Sequence, residues 1–298
     1  MNEQINLWRK EITNDLKEKI SNLAPDHSFK EVLEYTIFPT GKLFRPLLTY
    51  CVSKDIGYLG YDQKLLAQAI EIHHTYTLIH DDLPSMDDDD FRRGRLSSHK
   101  KFNEWSSILA GDALLNTSYE VLSDIKSPNI LKLLKKFTAS TGPKGLILGQ
   151  VMDLGGESKT LEQILLLHEL KTARLIQLAI VGPCILSGKD IMIPDLENIG
   201  LCLGINFQLL DDLCELTEDL SEHEKEVNPF LRFETERILE IVEDNSSTLK
   251  KLLNKNNLKC LEDYINIYLK QIRNKLNSGI ENINLHTSLT RQQIDKIC

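Results

Sequence analysis

The chain has 298 residues, 41% of them hydrophobic and 27% charged, with a net charge of −9, which is ordinary for a globular chain able to bury a sizeable core. The acidic balance argues against a nucleic-acid partner, because the phosphate backbone requires a basic face. No apolar run approaches the roughly 18 residues of a membrane span, and the opening "MNEQINLWRKEITNDLKEKI" is too polar for a signal peptide.

The opening stretch sets Ile5, Trp8, Ile12, Leu16 and Ile20 at steps of three or four, the mark of an amphipathic helix. Further on, "LLAQAIEIHHTYTLIHDDL", "WSSILAGDALLNTSYEVLSDI", "LEQILLLHELKTARLIQLAIVG" and "LENIGLCLGINFQLLDDLCEL" are long and carry few breakers. Several are apolar around most of their circumference, as buried helices are. Glycine and proline fall mainly between these blocks, and alternating strand-like patterns are nearly absent. The expectation is an all-α chain, one domain over residues 1–298. Cys51, Cys184, Cys202, Cys214, Cys260 and Cys298 form no CxxC and no zinc-ligand spacing, so they read as reduced thiols of a cytoplasmic protein.

The most unusual stretch is "LIHDDLPSMDDDDFRRGR" at 78–95. Crowded carboxylates repel and raise one another's pKa unless a cation sits among them. A charge run is most often a solvated loop, and that suffices for Asp88 to Asp90. It does not explain an Asp-Asp pair at the end of a buried helix. Thr77 and His74 lie one and two turns before Asp81 and share its face. Pro84 then breaks the helix, letting Asp87 return toward Asp81 and Asp82. Three carboxylates so placed suit Mg²⁺, which takes oxygen ligands and keeps positions open for water and phosphate. The arginines that follow are placed for an anion held by the same metal.

A second acidic group lies in "GINFQLLDDLCE" at 204–215. Asp211 and Glu215 are four apart, and Gln208 is one turn before Asp212. On an otherwise apolar helix, such groups require cations or partners to offset desolvation.

With these two acidic groups, the sequence resembles the trans-isoprenyl diphosphate synthases, and within them the bacterial farnesyl diphosphate synthases. The segment "IEIHHTYTLIHDDLPSMDDDDFRRGRLSSHKKF" is similar to the family's first aspartate-rich motif with its flanks, and "SILAGDALL" to the block that follows it. "TGKLFRP", "GQVMDL" and "ELKTARLI" resemble further family blocks, and "GINFQLLDD" resembles the second aspartate-rich motif. The resemblance implies a large helical bundle around a central cavity, the isoprenoid synthase type I fold, with both acidic motifs at its mouth. It implies a homodimer that condenses isopentenyl diphosphate with dimethylallyl or geranyl diphosphate, using two or three Mg²⁺ ions, with Mn²⁺ as the alternative. Asp81, Asp82, Asp87 and Asp211 match the family's metal ligands. Lys42, Arg45, His74 and Arg93 match its isopentenyl diphosphate site. Arg92, Lys171 and Lys225 match its contacts to the allylic diphosphate, and Thr172 and Gln208 match the polar groups beside the carbocation. In the family, product length depends on what blocks the cavity floor, here Tyr76 and Thr77, and the expected product is the C15 farnesyl chain.

The chain also departs from the family pattern. Glu215 replaces the usual aspartate, the loop "LTEDLSEHEKEVNPF" is short, and "KEVNP" stands where a Lys-x-Thr-Tyr-Pro segment is usual. These departures admit a second reading, a weakly active or non-catalytic subunit of a heteromeric synthase. A class I terpene cyclase ranks last, having no use for Lys42, Arg45 and His74.

Overall fold

The structure, a computed structural model, describes residues 1–218, 220, 225 and 227–298. Most of the shortened loop before Lys225 therefore lies outside the described residues. The chain divides into two compact units, Met1–Lys135 with Gly182–Lys189, and Lys136–Val181 with Asp190–Cys298. Among the described residues the secondary structure is helical apart from one two-stranded hairpin, so the fold is all-α as expected.

The first unit begins with α1 (Asn2–Ser21), which buries the expected stripe of Ile5, Trp8, Ile12, Leu16 and Ile20. There follow α2 (Phe29–Ile37), α3 (Phe44–Asp55) and α4 (Tyr61–Asp81). Helix α4 is buried on nearly every side and packs between α3 and α6 (Glu104–Ser123). Asn103 caps α6 by accepting a 2.9 Å hydrogen bond from the Ser106 amide, which satisfies one otherwise orphaned donor of the first turn.

Helix α4 stops just before Pro84, whose ring has no N–H to continue the ladder. The chain then folds back on itself. The Asp87 amide donates to the Asp81 carbonyl at 2.9 Å, and the Asp88 amide to the Leu83 carbonyl at 3.1 Å. A short hairpin follows, β1 (Phe91–Arg92) paired antiparallel with β2 (Arg95–Leu96). Its tip residues Arg93 and Gly94 both have positive φ, 55° and 75°, the pairing that suits a tight turn between right-twisted strands. The turn throws Arg92 and Arg93 onto different environments. The short α5 (Ser98–Lys101) leads into α6.

Helix α7 (Ile130–Thr141) and α10 (Arg174–Ser187) are each divided in sequence between the two units. The second unit adds α8 (Leu146–Leu154), α9 (Leu161–His168) and the long α11 (Ile193–Glu215). Beyond the short loop come α12 (Pro229–Arg232), α13 (Thr235–Lys255), α14 (Lys259–Ser278), α15 (Ile280–Ile283) and α16 (Arg291–Ile297). Between α9 and α10 the helix loosens into a π-helical turn, Glu169–Ala173. Such turns carry one extra residue and are concentrated at functional sites; this one bears Lys171 and Thr172.

Helix α11 packs directly on that turn, and Gly204 makes the approach possible. A Cβ at position 204 would lie 2.4 Å from both Cα and Cβ of Ala173, closer than any real contact. On an exposed helix, Gly→Ala stabilises by about 1 kcal/mol. Here Gly204→Ala is expected to destabilise by about 1–3 kcal/mol, the usual cost of overpacking. Denaturant unfolding of the variant checks the sign, and a gain in stability would show that α11 can move off the turn without penalty.

Candidate active site

In the first unit the predicted residues collect around α4. Arg45, on the first turn of α3, donates from Nη1 to His74 Nε2 on α4 at 3.2 Å. A guanidinium only donates, so His74 accepts and carries its proton on Nδ1. Burial, followed by Arg45, Arg93 and Arg92, holds His74 well below the usual histidine range, and the ring is neutral. Burial also pulls the Arg45 guanidinium down to about 10, with Glu71 opposing. It therefore remains charged at neutral pH.

Glu71 is the residue that sequence reasoning missed here. It is 3% exposed, and burial raises its pKa against the pull of Arg93 first and Arg45 second. One buried carboxylate thus serves two guanidiniums. A signal was present in "LAQAIEIHH", where a lone acid interrupts an apolar run.

Arg93 extends from the hairpin tip and donates to the carbonyls of Pro39 at 3.1 Å and Ile37 at 3.4 Å. Its guanidinium lies against Gly41, where a Cβ would come within 3.1 Å of Nη2. The "TGK" and "RRG" segments are therefore physically interlocked. Lys42 is exposed beside them.

The acidic motif itself is not uniform. Asp82 is 3% exposed, and its Oδ1 accepts from Arg92 through Nε at 2.8 Å and through Nη2. The same Nη2 reaches Asp89 Oδ2 at 2.8 Å. Burial lifts the Asp82 carboxyl above the ordinary range while Arg92 opposes it. Burial likewise works against the Arg92 charge, but Asp82, Asp89 and Asp81 outweigh it and the guanidinium is held above its usual value. Asp81 is half-buried and Asp87 exposed, joined through the backbone bond described above. These are hard oxygen donors, of the kind Mg²⁺ takes. Asp81, Asp82 and Asp87 all offer such donors, and one oxygen of Asp82 already accepts from Arg92. A cleft of about 30 Å³ lies between Asp82, Arg92, Arg93 and Leu78.

Below this site, Tyr76 and Thr77 are both buried. The Tyr76 ring stands edge-on to His73, with centroids 4.6 Å apart, and burial, Tyr119 and Asp81 push its phenol up to about 12. Thr77 donates its hydroxyl to the His74 carbonyl at 2.8 Å.

The second unit gathers Lys171, Thr172 and Gln208 around a cavity of about 270 Å³. Lys171 Nζ is 2.5 Å from Asp153 Oδ2, and Thr172 Oγ1 donates to Gln208 Oε1 at 3.0 Å. Asp211 is exposed. Its neighbour Asp212 is buried, with Oδ2 3.5 Å from His168 Nε2, and burial, Glu215, Asp211 and Asp153 push its pKa well up. Lys225 is exposed. His168, Asp153 and Asn228 were not singled out from the sequence. Asn228 donates from Nδ2 to the Asp212 carbonyl at 2.7 Å and to Glu215 Oε2 at 3.1 Å, and its Oδ1 accepts from the Phe230 amide at 3.0 Å.

The polyprenyl synthetase family model matches residues 26–231. The chain belongs to that family. It is 38% identical to the farnesyl diphosphate synthase of Micrococcus luteus, over 62% of this chain and 66% of that one. With the farnesyl diphosphate synthase of Geobacillus stearothermophilus it shares 34% identity, over 71% and 74% of the two chains. A geranyltransferase of Helicobacter pylori, solved with magnesium and isoprenyl diphosphate, superposes with a TM-score of 0.72 at 29% identity, covering 88% of this chain and 97% of that one. The fold is the isoprenoid synthase type I fold, and the family member is a short-chain trans-prenyltransferase.

Two buried histidines give the chain a defined response to acid. Burial holds His73 down at about 3 and His168 at about 4, the latter with smaller opposing effects of Asp153 and Lys171. In the unfolded chain both protonate near pH 6.5. Their contribution to stability is therefore complete above about pH 6.5 and is lost as pH falls toward the folded values, at up to about 1.4 kcal/mol per unit for each. Glu71 and Asp212, raised by burial, act in the opposite sense, so the comparison needs a variant. Urea midpoints at pH 7.5 and 5.5 are expected to differ less in His73→Gln than in the wild type. An unchanged difference would mean that His73 is not held neutral.

Proposed function

We propose that residues 1–298 serve as a single farnesyl diphosphate synthase domain, condensing isopentenyl diphosphate with an allylic diphosphate to a C15 product. The observation that carries this reading is Arg92, a half-buried guanidinium bridging Asp82 and Asp89 beside the Asp81–Asp87 pair. It is a cation held ready for an anion, next to oxygen donors ready for a divalent ion. Asp81, Asp87 and Asp82 from the first motif and Asp211 from the second would hold two or three Mg²⁺ ions, with Mn²⁺ as the alternative. Bound there, the ions would neutralise the charge of the departing diphosphate.

The chain's own residues account for the rest. Lys42, Arg45 and Arg93 bind the diphosphate of isopentenyl diphosphate, with neutral His74 orienting Arg45. Arg92, Lys171 and Lys225 bind the allylic diphosphate, for which Lys171 exchanges its contact to Asp153. Thr172 and Gln208 turn oxygen dipoles toward the developing allylic cation, whose charge they stabilise without adding a nucleophile as strong as water. Diphosphate leaves with the electron pair of its C–O bond, the isopentenyl double bond attacks the resulting cation, and the released diphosphate takes up the proton lost as the new alkene forms. Tyr76, buried on α4 five residues before Asp81, limits chain growth by occupying volume, since interiors are close-packed. Trp105, Ile108 and Leu109 are exposed on α6 at 64%, 43% and 50%, an apolar row suited to a homodimer. The described residues contain no helix long and apolar enough to cross a membrane, which is compatible with a cytoplasmic enzyme.

The test is a product analysis. Purified protein with Mg²⁺, labelled isopentenyl diphosphate and geranyl diphosphate is expected to yield a C15 chain. Asp81→Ala is expected to lower the rate by a factor on the order of 10³, comparable to losing one electrostatic stabiliser of a transition state. Tyr76→Ala is expected to shift the product distribution to C20 and beyond. A folded protein that elongates neither dimethylallyl nor geranyl diphosphate would point instead to a non-catalytic subunit.

A further inference from the structure

Asp88, Asp90 and Lys100 surround a side chain that prenyl transfer does not use. His99 lies on α5 and is 7% exposed. Its Nδ1 is 3.2 Å from the Ser97 hydroxyl, while its Nε2 is buried and makes no hydrogen bond. Leaving a buried polar atom unmatched costs about 1–3 kcal/mol, a cost that an ion bound to Nε2 would remove. Nε2 points at Asp88 Oδ1, 4.0 Å away. That gap is too long for a hydrogen bond and can accommodate an ion between the two atoms. Donor atoms of His99, Asp88 and Asp90 all lie within 4.8 Å of one another. Ligands about 2.1 Å from a tetrahedral ion stand roughly 3.4 Å apart, so shifts of about an ångström in exposed carboxylates close the set.

We propose that Asp88, Asp90 and His99 form a separate site for one divalent transition ion, of the Zn²⁺ or Mn²⁺ kind. Its chemistry sets it apart from the magnesium ligands. An imidazole nitrogen favours transition ions, whereas sites made only of oxygen favour Mg²⁺. With Nδ1–H donated to the Ser97 hydroxyl, 3.2 Å away, the ring would present its Nε2 lone pair, the usual support of a metal-binding histidine. Its direction also differs: Asp89, between the two ligands, turns the other way to Arg92. An ion here fixes the backbone on both sides of Asp89 and thereby the carboxylate that helps hold Arg92.

Lys100 is the competitor. Its Nζ is 2.7 Å from Asp90 Oδ1 and 3.9 Å from Asp88 Oδ1, so the ammonium supplies positive charge where the ion would. The side chain is 39% exposed and can swing into solvent, as an exposed ion pair of this kind holds with only about 0.2–1 kcal/mol.

Pulsed electron paramagnetic resonance on the full chain with Mn²⁺ alone separates the sites, because only a histidine ligand gives directly bound ¹⁴N coupling. The wild type is expected to show that coupling, and added Zn²⁺ is expected to remove it before the nitrogen-free signal. The coupling is expected to vanish in Asp88→Asn/Asp90→Asn, both exposed positions, and in His99→Gln. Lys100→Ala is expected to tighten the nitrogen-coupled ion by about two- to fivefold, the equivalent of the lost ion pair. Absence of ¹⁴N coupling in the wild type at saturating Mn²⁺, or its survival in the folded double variant, overturns the proposal. Neither result bears on prenyl transfer, which is not the readout.

Discussion

A charge taken out of water has to be met by another charge or by hydrogen bonds, and α4 is where this constraint is felt most. The helix is buried on nearly every side, yet it carries Glu71 in its middle and leads into Asp81 and Asp82. Glu71 and Asp82 each have arginines set around them. Glu71 lies in the field of Arg45 from α3 and Arg93 from the hairpin tip, and Asp82 takes Arg92 from the hairpin strand. The turn that places Arg92 and Arg93 at adjacent positions but in different surroundings is thus part of the electrostatics of α4. Its two left-handed residues are conformations that cost free energy for a non-glycine residue, and the contacts of Arg93 hold them in place.

Buried ion pairs of this kind contribute little to stability, because desolvation consumes most of the Coulombic gain. The carboxylate partners therefore offset only part of the cost of dehydrating the guanidiniums. Two guanidiniums, Arg93 and Arg45, act on the one Glu71 carboxylate, which leaves the group with a formal excess of positive charge. His74 contributes none, since it is neutral and accepts from Arg45. In the second unit the sign reverses. Asp153, Asp212 and Glu215 line one cavity with Lys171, and Asp212 has its pKa driven up by its acidic neighbours as well as by burial. Carboxylates so crowded raise one another's pKa unless a cation sits among them.

Much of this was legible in the sequence because periodicity and punctuation are local properties. The stripe from Ile5 to Ile20 appears on α1 as read, and the break at Pro84 that returns Asp87 to Asp81 follows from proline's missing donor. What could not be read were the partners. Nothing in the spacing says that Asp82 accepts from Arg92 through one oxygen, since Asp81 and Asp82 are adjacent aspartates on one helix end. Nor does it show that Glu71 answers Arg93, or that His99 faces Asp88. These are distances across loops, fixed by how α3, the hairpin and α5 pack around α4. The π-helical turn under Lys171 and Thr172 was likewise invisible, because one extra residue in a helix leaves no mark in an apolar pattern.

The departures from the family pattern take on a different meaning once their contacts are known. In sequence, Glu215 for aspartate and Asn228 within "KEVNP" look like separate losses on either side of a shortened loop. In the structure they touch: the Asn228 amide donates to Glu215 Oε2 and to the Asp212 carbonyl, and its oxygen caps α12. The extra methylene of glutamate carries its carboxylate further from α11, to where the Asn228 amide donates. Asn228 is 1% exposed, so these hydrogen bonds are made away from water, where an unmade one is costly. The two changes thus form one clamp, joining the end of the second acidic motif to the segment that follows Lys225. The clamp ties the carboxylate of Glu215 and the backbone of Asp212 to the segment beyond Lys225, so the two altered positions of the sequence meet in one contact.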